Sequence, residues 1–255
     1  MNRLLEAYVL RFPIARGKGV VLRHLVRRLP LAMREFETSV PGGGRVALRI
    51  DDVTGRMVLR DGSFERAEIL AMVNCLTGSG TAIDVGANIG LVTISLALAA
   101  AQVVALEPLP ANVVRLRENV QRNALANVVI VEAAAGASDG TAVMHAAADP
   151  AFGSLRELVK YRASEEFEVR LRSLDSVWQE LERPVVELVK IDVEGAELDV
   201  FEGGRELLAT CRPVVLVEAD HGGAADAVHG LLSRLGYREA TPPGFTNENH
   251  LFVAD

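Results

Sequence analysis

The chain has 255 residues and a formal net charge of −7 at pH 7, with 49% hydrophobic and 24% charged residues. This balance is typical of a soluble globular protein, and it excludes a largely disordered chain. The two cysteines, Cys75 and Cys211, lie far apart and outside any Cys/His cluster. Their placement excludes a disulfide framework and a cysteine-based zinc site.

The first 34 residues are basic, whereas the rest of the chain is acidic. Eight arginines or lysines against one acid give this arm a net charge of +7, which leaves −14 for residues 35–255. Apolar residues recur at helical spacing over residues 20–29, which predicts a short basic amphipathic helix that ends before Pro30. We expect this helix either to pack on the main domain or to contact an anionic membrane surface, a lipid-linked substrate or a partner.

Two further expectations follow from what the sequence lacks. The N-terminus has no continuous apolar segment with a small-residue cleavage site, so we expect a cytoplasmic protein. The acidic body has no RNA-stacking motif or zinc finger, so we expect no binding to nucleic acid.

The next segment is rich in β-prone residues and glycine turns. It reads "VPGGGRVALRIDDVTGRMVLRDGSFE" over residues 40–65 and predicts a small β meander or hairpin that covers an edge of the main domain. The predicted domain organisation is therefore an N-terminal arm and meander over residues 1–60, followed by a main domain over residues 61–255.

The main domain alternates predicted helices and strands. A helix at "RAEILAMVNCL" is followed by strand "TAIDV", helix "IGLVTISLALAA", strand "QVVALE", helix "PANVVRLRENVQRNAL" and strand "NVVIVEAA". Later segments predict strand "VELVKID", a helix at "GAELDVFEGGRELLAT", strand "PVVLVEAD", helix "AADAVHGLLSRLG" and two terminal strands near "YREA" and "HLFVA". Near-continuous apolar strands between helices indicate a doubly wound, mostly parallel α/β sheet. Ligands of such sheets bind beyond the carboxyl ends of the strands.

The first strand of this domain ends on Asp84 and is followed at once by Gly86, Asn88 and Gly90. Glycine permits close approach of the backbone to a ligand, and asparagine tolerates left-handed backbone angles. The turn is therefore predicted to bind a nucleotide. Glu107 ends the second strand, where it is placed to accept hydrogen bonds from both hydroxyls of a ribose.

The residues of this turn distinguish between nucleotides. Dinucleotide enzymes use G-x-G-x-x-G to hold a pyrophosphate, but this turn lacks that pattern, and Asp84 would repel a pyrophosphate. A ligand with a cationic end suits an acid there. S-adenosylmethionine carries an ammonium and a sulfonium and no phosphate, so the turn predicts a methyl-donor site.

Five motifs occur in order over residues 61–255: "IDVGANIG", "EPLPANVVRLRENV", "LDSV", "LVKIDVEGAELDVFEGG" and "VLVEADH". They resemble the motifs of the FkbM family of S-adenosylmethionine-dependent methyltransferases, which O-methylate sugars and other hydroxylated natural products. The resemblance implies a class I methyltransferase sheet of seven strands with the last strand antiparallel.

The resemblance also implies roles for cofactor-binding residues. The predicted cradle for the methionine end comprises Asp84, Gly86, Asn88 and Gly90. Glu107 is expected to bind the ribose, and Asn112 to help fix the turn that carries Glu107. Phe64-Glu65 resembles a family element ahead of the first strand, which places Glu65 near the cofactor.

The catalytic candidates follow the fourth and fifth strands. Asp192 and Lys190 share one strand face, Glu194 follows on the next turn, and His221 lies just past the fifth strand. An unactivated sugar hydroxyl has to lose its proton during methylation. Asp192, Glu194 and His221 are therefore the candidate general bases.

The same strand ends leave a metal alternative open. Four acids could together hold Mg²⁺ through carboxylate oxygens: Asp192, Glu194, Glu218 and Asp220. Because no ligand spacing compels such a site, the prediction is a metal-free enzyme.

The predicted function is S-adenosylmethionine-dependent O-methylation of a hydroxyl on a sugar, glycan or related natural product. Two alternatives stay open at this point, a nicotinamide-dependent oxidoreductase on a similar sheet and a non-catalytic module that docks on a membrane or partner. The sequence names neither the acceptor nor the oligomeric state, because loops with weak signals build the acceptor pocket.

Overall fold

The computed structural model describes residues 35–50, 52–147, 153–154, 163–193, 195–219, 223–246 and 248–255. The predicted basic amphipathic helix, Glu194 and His221 lie outside these ranges. Within the ranges, every helix is too short or too polar to cross a lipid bilayer.

The described chain begins with an antiparallel hairpin of β1 (Glu35–Ser39) and β2 (Arg45–Arg49). One face of the hairpin is apolar and packs into a shared cluster that includes Phe36, Val46, Leu48, Ile89, Leu91 and Ile94. On its rim, the side-chain oxygens of Asn119 and Asn123 accept hydrogen bonds from the backbone of β2, at 2.9 and 2.8 Å. The hairpin is therefore joined to the main domain by both apolar and polar contacts.

The residues after the hairpin are helical, which corrects the prediction of a meander. Helix α1 (Val53–Asp61) and helix α2 (Arg66–Asn74) follow β2 directly. The buried residues of α1 are Thr54, Gly55 and Val58, which lie on one helical face. A Cβ at Gly55 would lie 1.9 Å from the carbonyl oxygen of Arg49. The glycine that suggested a β turn thus permits close packing of the helix on the hairpin.

The remaining elements follow in chain order. The strands are β3 (Thr81–Val85), β4 (Gln102–Leu106), β5 (Val128–Val131), β6 (Ala134–Ala135), β7 (Gly140–Ala147), β8 (Gly153–Ser154), β9 (Ala163–Arg172), β10 (Val186–Ile191), β11 (Val214–Glu218), β12 (Tyr237–Glu239) and β13 (Asn249–Ala254). The helices are α3 (Leu91–Ala97), α4 (Pro110–Arg122), α5 (Leu174–Glu180), α6 (Glu197–Glu202), α7 (Arg205–Cys211) and α8 (Gly223–Arg234).

The central sheet has seven strands in the order β12-β13-β11-β10-β3-β4-β5. β13 is antiparallel to both of its neighbours, and the other pairs are parallel. This is the doubly wound class I methyltransferase sheet that the sequence predicts, with the last strand antiparallel. The strand order reverses between β3 and β10, and in such sheets the ligand crevice lies at this switch point.

Buried apolar clusters cover both faces of this sheet. One face includes Ile83, Val104, Val189 and Phe201, and the other includes Ala82, Val103, Leu188 and Leu216. Because side chains alternate between the faces of a strand, a strand buried on both sides has to be apolar at nearly every position. The central strands are therefore the part of the fold that the sequence predicts best.

A second sheet has four strands in the order β6-β9-β7-β8. β9 reads "ASEEFEVRLR", in which only alternate residues toward its end are apolar. Its Val169 and the Met144 side chain of β7 pack with Leu109 and Ala134 in a small cluster. Where side chains of the sheet are described, burial is confined to one side, so the apolar signal is weak.

The helix predicted over residues 195–210 is two helices, α6 and α7, separated by Gly203 and Gly204. A Cβ at Gly203 would lie 2.1 Å from the carbonyl oxygen of Gly136. The close approach of these two backbones breaks the helix, and the sequence shows it only as a pair of glycines.

Candidate active site

A cleft with about 980 Å³ of empty space, including its open mouth, lies beyond the carboxyl ends of β3, β4 and β10. Six of the predicted site residues line it together: Glu65, Gly86, Asn88, Glu107, Asn112 and Asp192. These residues come from four separate segments of the chain. The fold thus brings most of the predicted site to the crevice that the strand order marks.

The turn after β3 is held between the two neighbouring strands. The amides of Gly86 and Ala87 both donate to the carbonyl oxygen of Leu106, at 3.0 Å each. Gly86 has φ 79°, and a Cβ there would lie 1.9 Å from the carbonyl oxygen of Asp192. The turn needs glycine at this position for its backbone angle and for its contact with β10.

Gly86→Ala should lower the free energy of unfolding by roughly 2 to 5 kcal/mol. About 1 to 2 kcal/mol comes from the left-handed backbone, and about 1 to 3 kcal/mol comes from the collision with the Asp192 carbonyl. Gly62→Ala is the matched control, because Gly62 has φ 83° and nothing within 4 Å of its Cβ position. Urea denaturation of both variants separates the two contributions. Equal losses in the two variants would contradict the close approach at Gly86.

Glu107 is buried at the end of β4 and is held by three donors. Its Oε2 accepts from the Asn88 amide at 2.8 Å, and its Oε1 accepts from the Leu109 amide at 3.0 Å and from Asn112 Nδ2 at 3.2 Å. Burial raises the pKa of the carboxyl, and these hydrogen bonds oppose the shift. A carboxylate has about four lone-pair positions, so Oε2 keeps one for a ligand hydroxyl.

Asp84 lies beneath the cleft, with 0% of its surface exposed. Thr93 Oγ1 donates to its Oδ2 at 2.5 Å, and Lys190 Nζ lies 3.5 Å from its Oδ1. The cation that faces Asp84 is therefore a lysine of the protein itself. Direct contact of Asp84 with a ligand stays a prediction, and this geometry does not support it.

Gly90 also lies behind the cleft wall. It has φ 96° and immediately precedes α3. A Cβ there would lie 2.7 Å from Leu116 Cδ1, on α4. Gly90 thus permits the packing of α3 against α4, and its predicted role as a cradle residue is untested.

Lys190 is the centre of a buried charge network that the sequence analysis did not assign to the site. Its Nζ donates to Asp192 Oδ2 at 3.1 Å and to the carbonyl oxygen of Gly86 at 3.2 Å, in addition to its contact with Asp84. Burial alone would lower the pKa of the lysine, but the carboxylates of Asp192, Asp84 and Glu65 outweigh it and raise the pKa. The sequence signal for this network is the two-residue spacing of Lys190 and Asp192, because residues i and i+2 of an extended chain lie on the same face.

Glu65 enters the cleft from the residue just before α2. Its backbone is left-handed, with φ 36°, a conformation that costs a non-glycine residue about 1 to 3 kcal/mol and clusters at functional sites. Burial and the nearby carboxylate of Asp192 raise the pKa of Glu65 to about 7, although Lys190 acts in the opposite direction. Glu65 thus lies near the other acids of the cleft, and its place beside the cofactor stays a prediction.

Asp192 is the catalytic candidate that the structure describes. Its side chain is 27% exposed, and its amide donates to the Val85 carbonyl oxygen at 3.1 Å. Glu194 and His221 lie outside the described residues, so their roles stay predictions. Of the four acids in the Mg²⁺ alternative, Asp192 and Glu218 are described, and both line the cleft.

The sequence analysis did not predict some of the residues that line the cleft. Helix α1 contributes Val53, Thr54 and Met57, and β7 contributes Met144. The α1 residues belong to a segment that was predicted to lie outside the methyltransferase domain. Only the packing of the hairpin and α1 on the main domain brings them to the cleft.

The chain was compared with known proteins by sequence and by structure. It is 30% identical over 250 residues to the AMB antimetabolite synthetase AmbE of Pseudomonas aeruginosa, in a match that covers 79% of this chain and 11% of AmbE. The chain therefore spans about one ninth of this relative.

Two solved structures are also similar to the chain. Methyltransferase FkbM from Methylobacillus flagellatus KT has 16% identity and a TM-score of 0.47, with coverage of 92% of this chain and 58% of that one. Precorrin-6y C5,15-methyltransferase from Geobacter metallireducens GS-15 has 14% identity and a TM-score of 0.46, with coverage of 74% and 86%.

The family assignment comes from the sequence profile of the methyltransferase FkbM domain, which matches residues 84–239. The match covers more than half of the chain and runs from Asp84, at the first strand of the central sheet, to Glu239, at the end of β12. The chain belongs to the FkbM family of methyltransferases.

Proposed function

We propose that this protein is an S-adenosylmethionine-dependent O-methyltransferase that acts on a hydroxyl of a sugar, glycan or related natural product. The observation that carries the proposal is that one cleft is lined both by an acid suited to a ribose and by acids suited to the reacting end of the cofactor. Glu107 is buried at the end of β4, where it can accept from a ribose hydroxyl, and Glu65 and Asp192 line the same cleft. Membership of a methyltransferase family supports the same reaction.

The residues present fit this cofactor. Gly86 has no Cβ, so the turn lies close against Asp192 and its backbone lines the cleft. Glu107 keeps a lone pair on Oε2 for a hydroxyl. The carboxylate of Glu65 favours the cationic methionine end, because opposite charges attract strongly in a partly buried site. When bound, S-adenosylmethionine supplies an electrophilic methyl group.

The same lining argues against a nicotinamide dinucleotide. Glu65, Asp192 and Glu218 contribute carboxylates to the cleft, and a pyrophosphate would meet them with like charge. Aligned on Gly86, the turn also lacks the second and third glycines of G-x-G-x-x-G, because Asn88 and Leu91 stand at their positions.

We assign Asp192 as the group that accepts the proton of the acceptor hydroxyl. Lys190 holds its Oδ2 at 3.1 Å, so the carboxylate has a fixed direction at the cleft wall. Positioning of the hydroxyl by the cleft is expected to supply a larger share of the rate acceleration, up to about 7 to 11 kcal/mol in favourable cases.

The similarity to AmbE, an antimetabolite synthetase, supports the natural-product part of the acceptor range.

Glu107→Gln should weaken binding of S-adenosylhomocysteine by about 10- to 100-fold, since hydrogen bonds to a charged acceptor contribute roughly 1.5 to 3 kcal/mol. The measurement is isothermal titration calorimetry, with thermal unfolding as the check that the variant folds. Glu132→Gln is the matched control, because Glu132 is an exposed acid just past β5 that pairs with Arg117 outside the cleft. Unchanged affinity in Glu107→Gln would refute the ribose assignment, and absence of binding in the wild type would refute the cofactor.

A further inference from the structure

Two histidines and a glutamate converge at the β12–β13 edge of the central sheet. His229 lies on α8, Glu239 at the end of β12 and His250 near the start of β13. One ligand atom from each residue lies within 4.8 Å of the other two. None of the three lines the cleft described above, so this His–Glu–His cluster is a separate feature of the molecule.

The distances in the cluster match those between ligands of a metal ion. His250 Nδ1 lies 3.0 Å from Glu239 Oε1, and His229 Nε2 lies 3.6 Å from Glu239 Oε2. Two ligands on a tetrahedral ion with bonds of about 2.0 to 2.2 Å are separated by about 3.3 to 3.6 Å. The His229–Glu239 distance lies at the end of this range, the His250–Glu239 distance is slightly shorter, and all three ligand atoms lie within 4.8 Å of one another.

Hydrogen bonding explains only one of the two histidine–glutamate contacts. The contact of His250 with Glu239 is a hydrogen bond, but 3.6 Å is too long for a hydrogen bond between His229 and Glu239. Neither ring nitrogen of His229 forms a hydrogen bond to any residue in the described part of the chain. His229 thus points a nitrogen toward the carboxylate across a gap that an ion would close.

Neighbouring side chains orient the ligands. Thr241 Oγ1 donates to Glu239 Oε1 at 2.6 Å, and the ring of Phe252 packs edge-on against His229 with 4.8 Å between centroids. The nitrogen of His250 that faces the cluster is Nδ1, which lies 3.0 Å from Glu239 Oε1. Such supporting contacts are a regular feature of metal sites in proteins.

We propose that His229, Glu239 and His250 bind one divalent transition-metal ion, with Zn²⁺ as the ion that this ligand set favours. Two imidazoles and a carboxylate suit Zn²⁺ and Co²⁺, whereas Mg²⁺ and Ca²⁺ take oxygen ligands. Because His229 and Glu239 are about one third exposed, water can occupy the fourth position. The ligands are 10 and 11 residues apart along the chain, which matches no metal-binding motif, so the sequence predicted no metal.

The position of the ion suggests what it does. It ties α8 to β12 and β13, and His250 pairs with Val217 on β11, beside Glu218. Glu218 lines the cleft. The ion therefore stabilises the flank of the cleft without contacting the ligand.

The test uses the full chain, purified with a chelator and then dialysed under reducing conditions. Titration with Co²⁺ should give one bound ion per chain with the intense visible absorption of four-coordinate Co²⁺, and one equivalent of Zn²⁺ should displace it. Saturating Zn²⁺ should also raise the midpoint of thermal unfolding, because it binds the folded state alone. A wild-type chain that binds neither ion at this site overturns the proposal.

Variants then locate the ion. His229→Ala and Glu239→Gln should lose the Co²⁺ spectrum and weaken Zn²⁺ binding by at least about 100-fold, since changing a residue that merely supports a ligand costs about 10- to 100-fold. Both side chains are partly exposed, and thermal unfolding of the metal-free variants checks their fold. Glu248→Gln, an exposed acid beside β13, and Cys75→Ser should bind the ions as the wild type does. Full binding in His229→Ala and Glu239→Gln would place the ion elsewhere and refute the site.

Discussion

Asp192→Asn should lower kcat by roughly 10²- to 10⁴-fold and leave the affinity for S-adenosylhomocysteine within a few-fold of the wild type. This is the usual contribution of a general base to proton transfer in the transition state. The variant keeps the shape of the side chain, and Lys190 retains Asp84 and the Gly86 carbonyl as partners. Loss of rate without loss of binding would therefore report the chemical step and not a collapsed site.

The measurement is steady-state kinetics with an acceptor found in a screen of hydroxylated glycans, with calorimetry for the affinity. Asp192→Glu keeps a carboxylate and should recover part of the rate. Glu218→Gln separates the base from the Mg²⁺ alternative, because Glu218 lines the same cleft. The base assignment predicts that Glu218→Gln and EDTA both leave most activity, because the ion of the His–Glu–His cluster does not contact the ligand. A Mg²⁺ site in the cleft predicts that both treatments abolish activity.

Full activity in Asp192→Asn would contradict the assignment. The proton acceptor would then be one of the other predicted bases, Glu194 or His221, or the acceptor would already be ionised, as a carboxylate is. Rates for Glu194→Gln and His221→Ala decide between these outcomes.

Lys190→Met should lower the free energy of unfolding by about 3 to 5 kcal/mol, the range measured when one partner of a buried ion pair is removed. Lys190 is 4% exposed and Asp84 is 0% exposed. Without the ammonium group, Asp84 keeps the Thr93 hydroxyl as a hydrogen-bond donor, but its charge has lost its closest compensating cation. Urea denaturation of the wild type and the variant measures the difference.

A second substitution distinguishes the charge effect from lost packing. Asp84→Asn in the Lys190→Met background removes the uncompensated charge, so the double variant should be more stable than Lys190→Met alone. Arg60→Met is the exposed control, because the Arg60–Asp61 pair is 71% and 46% exposed and should contribute at most about 1 kcal/mol. Equal losses in Lys190→Met and Arg60→Met would contradict the importance of the buried network.

The sequence by itself determined the central sheet and the segments that carry the site. The strands β3, β4, β10 and β11 are buried on both faces, so each is an almost unbroken apolar run that can be recognised locally, and the partly buried edge strand β5 is also apolar throughout. The polar residues that end these runs, such as Glu107 and Asp192, are then placed at the carboxyl edge by topology alone. Prediction succeeded where burial is continuous and the informative residues are neighbours in the chain.

The tertiary structure alone decided which of these residues face a ligand and which face one another. Asp84 and Glu107 both come at the end of an apolar strand, yet Asp84 turns to Lys190 beneath the cleft while Glu107 lines it. The difference depends on a strand more than 100 residues away, and no local pattern carries it.

The other features that the sequence did not predict also depend on contacts between distant parts of the chain. Helix α1 reaches the cleft because its hairpin packs on α3, and the second sheet has too little buried surface to give a strong apolar pattern. The His–Glu–His cluster unites one helix and two strands whose ligands are separated by turns of no fixed length. Side chains that converge from distant segments become visible only when the backbone has folded, because their proximity results from packing and not from spacing along the chain.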